Sequence, residues 1–195
     1  MITGVILAGG LGRRMGGVDK GLQRLHDKPM VQWAVERFAP QVDELLINAN
    51  QNAEQYAALG YPLAPDRIAG FAGPLAGLHA ALSMATHPLV ATVPCDSPFL
   101  PGDLVARLKT ALDAGAADLA VARTFAQIHP VFCLCRRSVQ PGLAGYLAGG
   151  GRKIDAWYAK LKVVEVPFDD QPDAFSNINT EEELRALERG ALPSA

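Results

Sequence analysis

Leu7-Ala8-Gly9-Gly10-Leu11-Gly12-Arg13-Arg14-Met15-Gly16-Gly17-Val18-Asp19-Lys20 gathers five glycines and three basic residues in fourteen positions. It follows directly on the apolar run Val5-Ile6-Leu7-Ala8, so residues 1–8 read as a buried strand that empties into a glycine-rich loop. Glycine has no Cβ, which lets the backbone approach a phosphate closely and aim successive N–H groups at it. Arg13, Arg14 and Lys20 add positive charge, and no acidic residue precedes Asp19 in the run. A solvated loop that merely contains glycines is the plainer reading. Five glycines, two arginines and a lysine placed directly after a buried strand weigh against it.

Two well-known phosphate loops are excluded by spacing. A P-loop requires G-x-x-x-x-G-K-S/T, whereas Lys20 here follows Asp19 and precedes Gly21. The dinucleotide fingerprint requires G-x-G-x-x-G, and Gly10-Leu11-Gly12-Arg13-Arg14 leads to Met15 at the third glycine position.

Outward from the loop, short apolar runs alternate with helical patterns. Residues 29–38 carry Met30, Trp33, Ala34 and Phe38 at helical spacing, and Leu45-Leu46-Ile47 is the next strand. A helix over 53–59 stops at Gly60. Tyr61 to Ala64 is a weaker strand candidate because of Pro62. Gly73-Pro74 opens a helix to about residue 85, and Leu89 to Val93 is a central strand ending at Pro94-Cys95-Asp96. A helix over 101–114 follows, then strands at 119–122, 131–135 and 163–166. Thr180 with Glu183 has the pattern of a capping box opening a last helix. This order predicts an α/β fold, a three-layer sandwich around a Rossmann-like, mostly parallel sheet, in one domain over residues 1–195. In such sheets ligands gather beyond the carboxyl ends of the strands.

Composition narrows the partners. With 49% hydrophobic and 19% charged residues in 195, the chain has the make-up of a globular protein with a substantial core. A net charge of −2 gives no general attraction to nucleic acid, although local arginines and lysines still suit a small phosphorylated ligand. The apolar run at 5–8 is cut by Gly9 and Gly10, too early to span a bilayer. Cys95, Cys133 and Cys135 are odd in number and lack C-x-x-C spacing, which points to a reduced cytoplasmic protein. Cys133 and Cys135 fall on one face of a strand and read as small core residues.

The A-G-G-x-x-R-R-M-G-G-x-D-K pattern resembles the nucleotidyltransferases with an L-A-G/A-G-x-G-x-R-M-G signature, and among them the molybdenum cofactor guanylyltransferases of the MobA family. The Gly9-Gly10 pair, the Gly17-x-Asp19-Lys20 ending and the Asn177-Ile178-Asn179-Thr180 segment carry the narrower likeness; several CTP-using or sugar-phosphate relatives have Ala-Ala-Gly at residues 8–10. Further matching segments are Asn48-Ala49-Asn50, Asp66, Gly73-Pro74-Leu75-Ala76-Gly77 and Pro94-Cys95-Asp96-Ser97-Pro98-Phe99. The resemblance implies the nucleotide-diphospho-sugar transferase type of fold. It implies transfer of GMP from GTP to a molybdopterin cofactor with release of pyrophosphate. Proteins that deliver molybdopterin or mature molybdoenzymes are further partners it suggests.

Site assignments follow. Backbone N–H groups of Leu7, Ala8, Gly9 and Gly10, with the side chains of Arg14 and Lys20, are expected to hold the triphosphate. Asp96, at the end of the best central strand, suits Mg²⁺ held between phosphate oxygens; a turn or helix cap by Asp96 and Ser97 is its plainer use. Asn48 and Asp66 each follow an apolar run. Either is a turn former or part of a reader of base or ribose, and the resemblance implies the GTP-binding role. Asn177 and Asn179 are implied to hold the pterin substrate, although they can equally cap or turn the chain. Asn also stands where related sugar-phosphate enzymes often have a second metal-binding Asp. His129 suits a turn or a substrate contact, and Gly149-Gly150-Gly151-Arg152-Lys153 a flexible loop or a lid. A CMP-transferring or sugar-phosphate enzyme, and a GTP-binding adaptor that delivers cofactor without chemistry, are the competing readings.

Overall fold

The computed structural model describes residues 1–8, 19–68, 73–178 and 182–183. In chain order its strands are β1 (Ile2–Leu7), β2 (Arg24–Leu25), β3 (Lys28–Pro29), β4 (Glu44–Asn48), β5 (Leu89–Pro94), β6 (Leu119–Thr124), β7 (Gln127–Arg136) and β8 (Val163–Pro167). The helices are α1 (Met30–Phe38), α2 (Ala53–Ala57), α3 (Pro74–Met84), α4 (Leu104–Ala114), α5 (Gln140–Ala148) and α6 (Ile154–Tyr158). Six strands form one sheet in the order β4-β1-β5-β7-β6-β8, and β2 and β3 make a separate small hairpin.

Alternation along the central strands feeds two cores. Ile6, Ile47, Ala91, Val93, Ala120 and Leu134 face one side, where α1 supplies Val31, Ala34 and Phe38 and α4 supplies Leu104, Leu108 and Leu112. Val5, Leu46, Val90, Leu119, Val121, Cys133 and Cys135 face the other, against Leu75, Leu78 and Leu82 of α3 and Leu143 and Leu147 of α5. Apolar residues at every position of a strand are what a sheet covered on both faces requires. Cys133 and Cys135 do share one face and are free, buried thiols, as is Cys95 on the opposite side.

β7 departs from the parallel pattern, pairing antiparallel with both β5 and β6. The connection from β6 is too short for a crossover helix, which takes a dozen or more residues, so the chain turns back as a hairpin. Tyr61 to Ala64 does not form a strand. Pro62 lacks an N–H, and the segment makes a single parallel bridge, Leu63 with Ile47. α4 begins at Leu104 rather than Pro101, because the Gln41 side chain donates to the Pro101 carbonyl and accepts from the Val105 N–H.

The Gly149–Lys153 segment is a helix stop. Gly150 has φ +86°, Gly150 N–H donates to Leu147 O and Gly151 N–H to Tyr146 O, the Schellman pattern. Arg152 also donates to the Leu147 carbonyl, and Tyr146 Oη to the Lys153 carbonyl, which ties the segment to α5. Among the described residues no helix is long and apolar enough to cross a membrane. The last helix expected from Thr180 lies outside them.

Candidate active site

Parallel pairing puts three strand ends in a row. Leu7 of β1 lies opposite Asn48 of β4 on one side and Pro94 of β5 on the other. The end of β1 therefore lies in the middle of the carboxyl edge, between the ends of β4 and β5. Ala8 N–H donates to Asn48 O over 2.8 Å, and Leu7 O accepts from Cys95 N–H over 3.1 Å. The Ala8 N–H, expected from the sequence to face phosphate, is engaged at the sheet edge in this structure.

Asp96 sits just beyond β5 and is only 9% exposed. Burial pushes its carboxyl above the ordinary carboxylate value, and the Lys20 ammonium opposes that rise. Lys20 Nζ lies 3.6 Å from Asp96 Oδ2. Two residues separated by more than a third of the chain thus meet as a cation and a carboxylate at the carboxyl edge of the sheet. No group of three or more His, Cys, Asp or Glu able to hold a metal occurs among the described residues. A single carboxylate still fits Mg²⁺ in a nucleotide site, because that ion keeps waters and takes phosphate oxygens alongside one or two protein carboxylates.

On the other flank, Asn48 Nδ2 donates to Ala64 O over 2.7 Å and to Asp66 Oδ1 over 2.9 Å. Both amide hydrogens are taken up in this structure, and one of them orients Asp66. Asn50 completes the arrangement, donating to Asp66 Oδ2 over 2.9 Å and accepting the Asp66 N–H over 2.8 Å. Asp66 remains partly exposed, with lone pairs left for a ligand.

Asn177 reaches the Asp96 side of the edge. Ser97 Oγ donates to Asn177 Oδ1 over 2.6 Å, and Ile178 N–H donates to Asp96 O over 3.0 Å. A cleft of about 470 Å³ opens beside this contact, lined among others by Pro94, Thr124, His129, Phe132, Phe175 and Asn177. His129 stacks on Phe175 with centroids 4.7 Å apart and shares a 2.7 Å hydrogen bond with Thr124 Oγ1. Partial burial lowers its pKa. His129 is therefore a strand residue in a cleft wall rather than a turn residue. Gly9, Gly10, Arg14 and Asn179 lie outside the described residues.

Residues 4–163 match the family model of the MobA-like NTP transferase domain. The chain belongs to the MobA-like NTP transferase family. As a member of it, the protein is a nucleotidyltransferase. Among similar proteins, the molybdenum cofactor guanylyltransferase of Cupriavidus necator is 53% identical over 192 residues, 96% of each chain. The protein of the same name from Shewanella woodyi is 48% identical over 186 residues, 95% of each chain. The solved structure of molybdopterin-guanine dinucleotide biosynthesis protein A from Archaeoglobus fulgidus superposes with a TM-score of 0.80 at 25% identity, covering 96% of this chain and 97% of that one. The fold alone is shared with 4-diphosphocytidyl-2C-methyl-D-erythritol synthase from Anaerococcus prevotii, with a TM-score of 0.72 at 13% identity, covering 96% of this chain and 94% of that one.

Several residues of this nucleotidyltransferase site carry no assignment from sequence alone. Asn50 is quoted in the motif but gains a role only when its side chain is seen on Asp66. Gly77 falls inside a helix pattern, where a glycine signals close packing without naming the neighbour. Tyr56 reads as one more apolar helix position.

Proposed function

We propose that this nucleotidyltransferase transfers GMP from GTP to the terminal phosphate of a molybdopterin cofactor. The observation that carries the phosphoryl chemistry is the Lys20–Asp96 pair, 3.6 Å apart just beyond the carboxyl end of β5. The guanine and pterin identities rest on similarity of about half of all residues, over nearly the whole chain, to proteins named molybdenum cofactor guanylyltransferase.

Lys20, with the loop and Arg14, binds the triphosphate, and its ammonium faces charge that develops on the departing pyrophosphate. Asp96 would hold Mg²⁺, which would supply charge neutralisation at the phosphates. Asp66, aimed by Asn48 and Asn50, accepts from the N–H donors of guanine. Asn177 and the cleft walled by His129 and Phe175 orient the pterin phosphate. An oxygen of that phosphate attacks the α-phosphorus in line, the bond from the α-phosphorus to the bridging oxygen breaks, and pyrophosphate leaves. The nucleophile is already an anion, so no general base is required; positioning and charge neutralisation carry the rate. Three buried, free thiols fit a cytoplasmic enzyme.

Pyrophosphate release measured with each nucleoside triphosphate, in the presence of molybdopterin and Mg²⁺, tests the reading. GTP is expected to be preferred. Preference for CTP, or no release with any of them, overturns it.

A further inference from the structure

Lys20 is mounted by an arrangement that the chemistry just described does not use. Asp19, the residue before it, caps a short 3-10 helix over Lys20–Leu22 by accepting the Gly21 N–H at Oδ1 over 3.1 Å. The same Oδ1 accepts from Tyr56 Oη over 2.6 Å, and Oδ2 accepts from Asn52 Nδ2 over 2.9 Å. Both donors come from α2 and its entry, on the far side of β4 in the sequence. Tyr56 is fully buried. Its ring is packed in the core, and burial raises the pKa of its phenol, so the hydroxyl is a fixed, protonated donor.

Gly21 supplies the second mounting point. A Cβ there would stand 2.5 Å from Tyr56 Oη and 3.1 Å from Cys95 Sγ. The backbone after Lys20 therefore lies directly on the residue before Asp96. One end of the Lys20 segment is hung from a core tyrosine through Asp19, and the other rests on Cys95. Lys20 and Asp96 share a support, which fixes the separation between them.

We infer that Tyr56, acting through Asp19, is a positioning residue for Lys20: it sets the ammonium against the phosphates and Asp96 without touching substrate itself. The plainer use of this contact is stability alone, a buried hydroxyl satisfied by the nearest carboxylate. Three donors from three separate backbone positions on one carboxylate, adjacent to the lysine of the site, exceed what satisfying one hydroxyl requires. The inference rests on the guanylyl-transfer reading only in that Lys20 acts on the reacting phosphates.

The test is a double-mutant cycle in the full chain, with Tyr56→Phe, Lys20→Met and the two combined. Tyr56→Phe keeps the buried ring and removes only the donor. In the wild-type background kcat is expected to fall roughly tenfold, within the range that ångström-scale misplacement causes, with KM for GTP changed less than about threefold. In the Lys20→Met background the same change is expected to leave the residual kcat unaltered, because there is no ammonium left to place. A Tyr56→Phe enzyme with wild-type kcat overturns the inference, as does an equal fold-loss in both backgrounds, which marks a structural role. Asp19→Ala, which removes every bond of the clasp, is expected to show the same dependence on Lys20. Each assay uses the nucleoside triphosphate the wild-type enzyme prefers, so a preference for CTP sinks the guanylyl reading while leaving the cycle interpretable.

Discussion

Gly77 of α3 and Asn48 at the end of β4 touch so closely that a Cβ on Gly77 would stand 2.5 Å from Asn48 Oδ1, with Leu7 Cδ2 at 3.0 Å. Helix propensity alone favours alanine over glycine inside a helix by about 1 kcal/mol. Here the added methyl must push the amide that aims Asp66. Gly77→Ala is expected to destabilise by about 1–3 kcal/mol, the cost of overpacking, and to raise KM for GTP. Thermal unfolding and steady-state kinetics check both; a more stable variant with unchanged KM would mean that the contact yields freely.

Asp66 receives N–H donors from Asn48 and Asn50 and keeps acceptor capacity toward solvent. If it reads the guanine edge, Asp66→Asn should weaken GTP by about 1.5–3 kcal/mol, the range for a hydrogen bond to a charged group, or roughly tenfold to a hundredfold in KM. Weak activity with ATP, which lacks those donors, should be unaffected. Equal losses for both nucleotides would place the carboxylate elsewhere than on the base.

The sheet edge was legible in the sequence because strands that alternate with helices run parallel and end together. That logic located Asn48 and Asp96 without any coordinate, and the pairing of Leu7 with both Asn48 and Pro94 is its physical counterpart. The direction of β7 was also written there, in a connection too short to cross over, but the alternation pattern hides it. Side-chain partnerships were not legible. Whether the Asn48 amide faces a ligand or Asp66 depends on how residues 48–66 fold back, and periodicity is silent on that. Tyr56 and Gly77 likewise look like ordinary helix positions until the neighbour across the sheet edge is known.

Phe125 lies in the two-residue loop between the paired Thr124 and Gln127, with φ +50° and 62% of its surface exposed. Two-residue hairpin turns require positive φ, which costs an ordinary side chain about 1–2 kcal/mol and asparagine less. Phe125→Asn keeps the backbone N–H that donates to Asp169 Oδ1. It should stabilise the protein by about 0.5–1 kcal/mol and raise Tm by roughly 2–4 °C at most for a chain of this size. A lower melting temperature in a scan of both proteins would show that the exposed ring contributes packing that outweighs the strain.

Asp96 sets function against stability, and the sign can be worked out. Burial holds its carboxyl above the ordinary value even with Lys20 beside it. A group that binds its proton more tightly when folded contributes stability at low pH and loses that contribution as pH rises through the folded value. At neutral pH the ionised carboxylate is therefore a net cost to folding. Asp96→Asn, which keeps the shape and removes the charge, should melt at the same temperature as the wild type or higher at pH 7, and the difference should shrink as the pH is lowered. Turnover should fall by about a hundredfold or more, the scale of losing one electrostatic stabiliser of the transition state. Melting curves at two pH values and pyrophosphate release measure both. A variant that loses several degrees at pH 7 would show instead that the Lys20 pair outweighs the burial of Asp96.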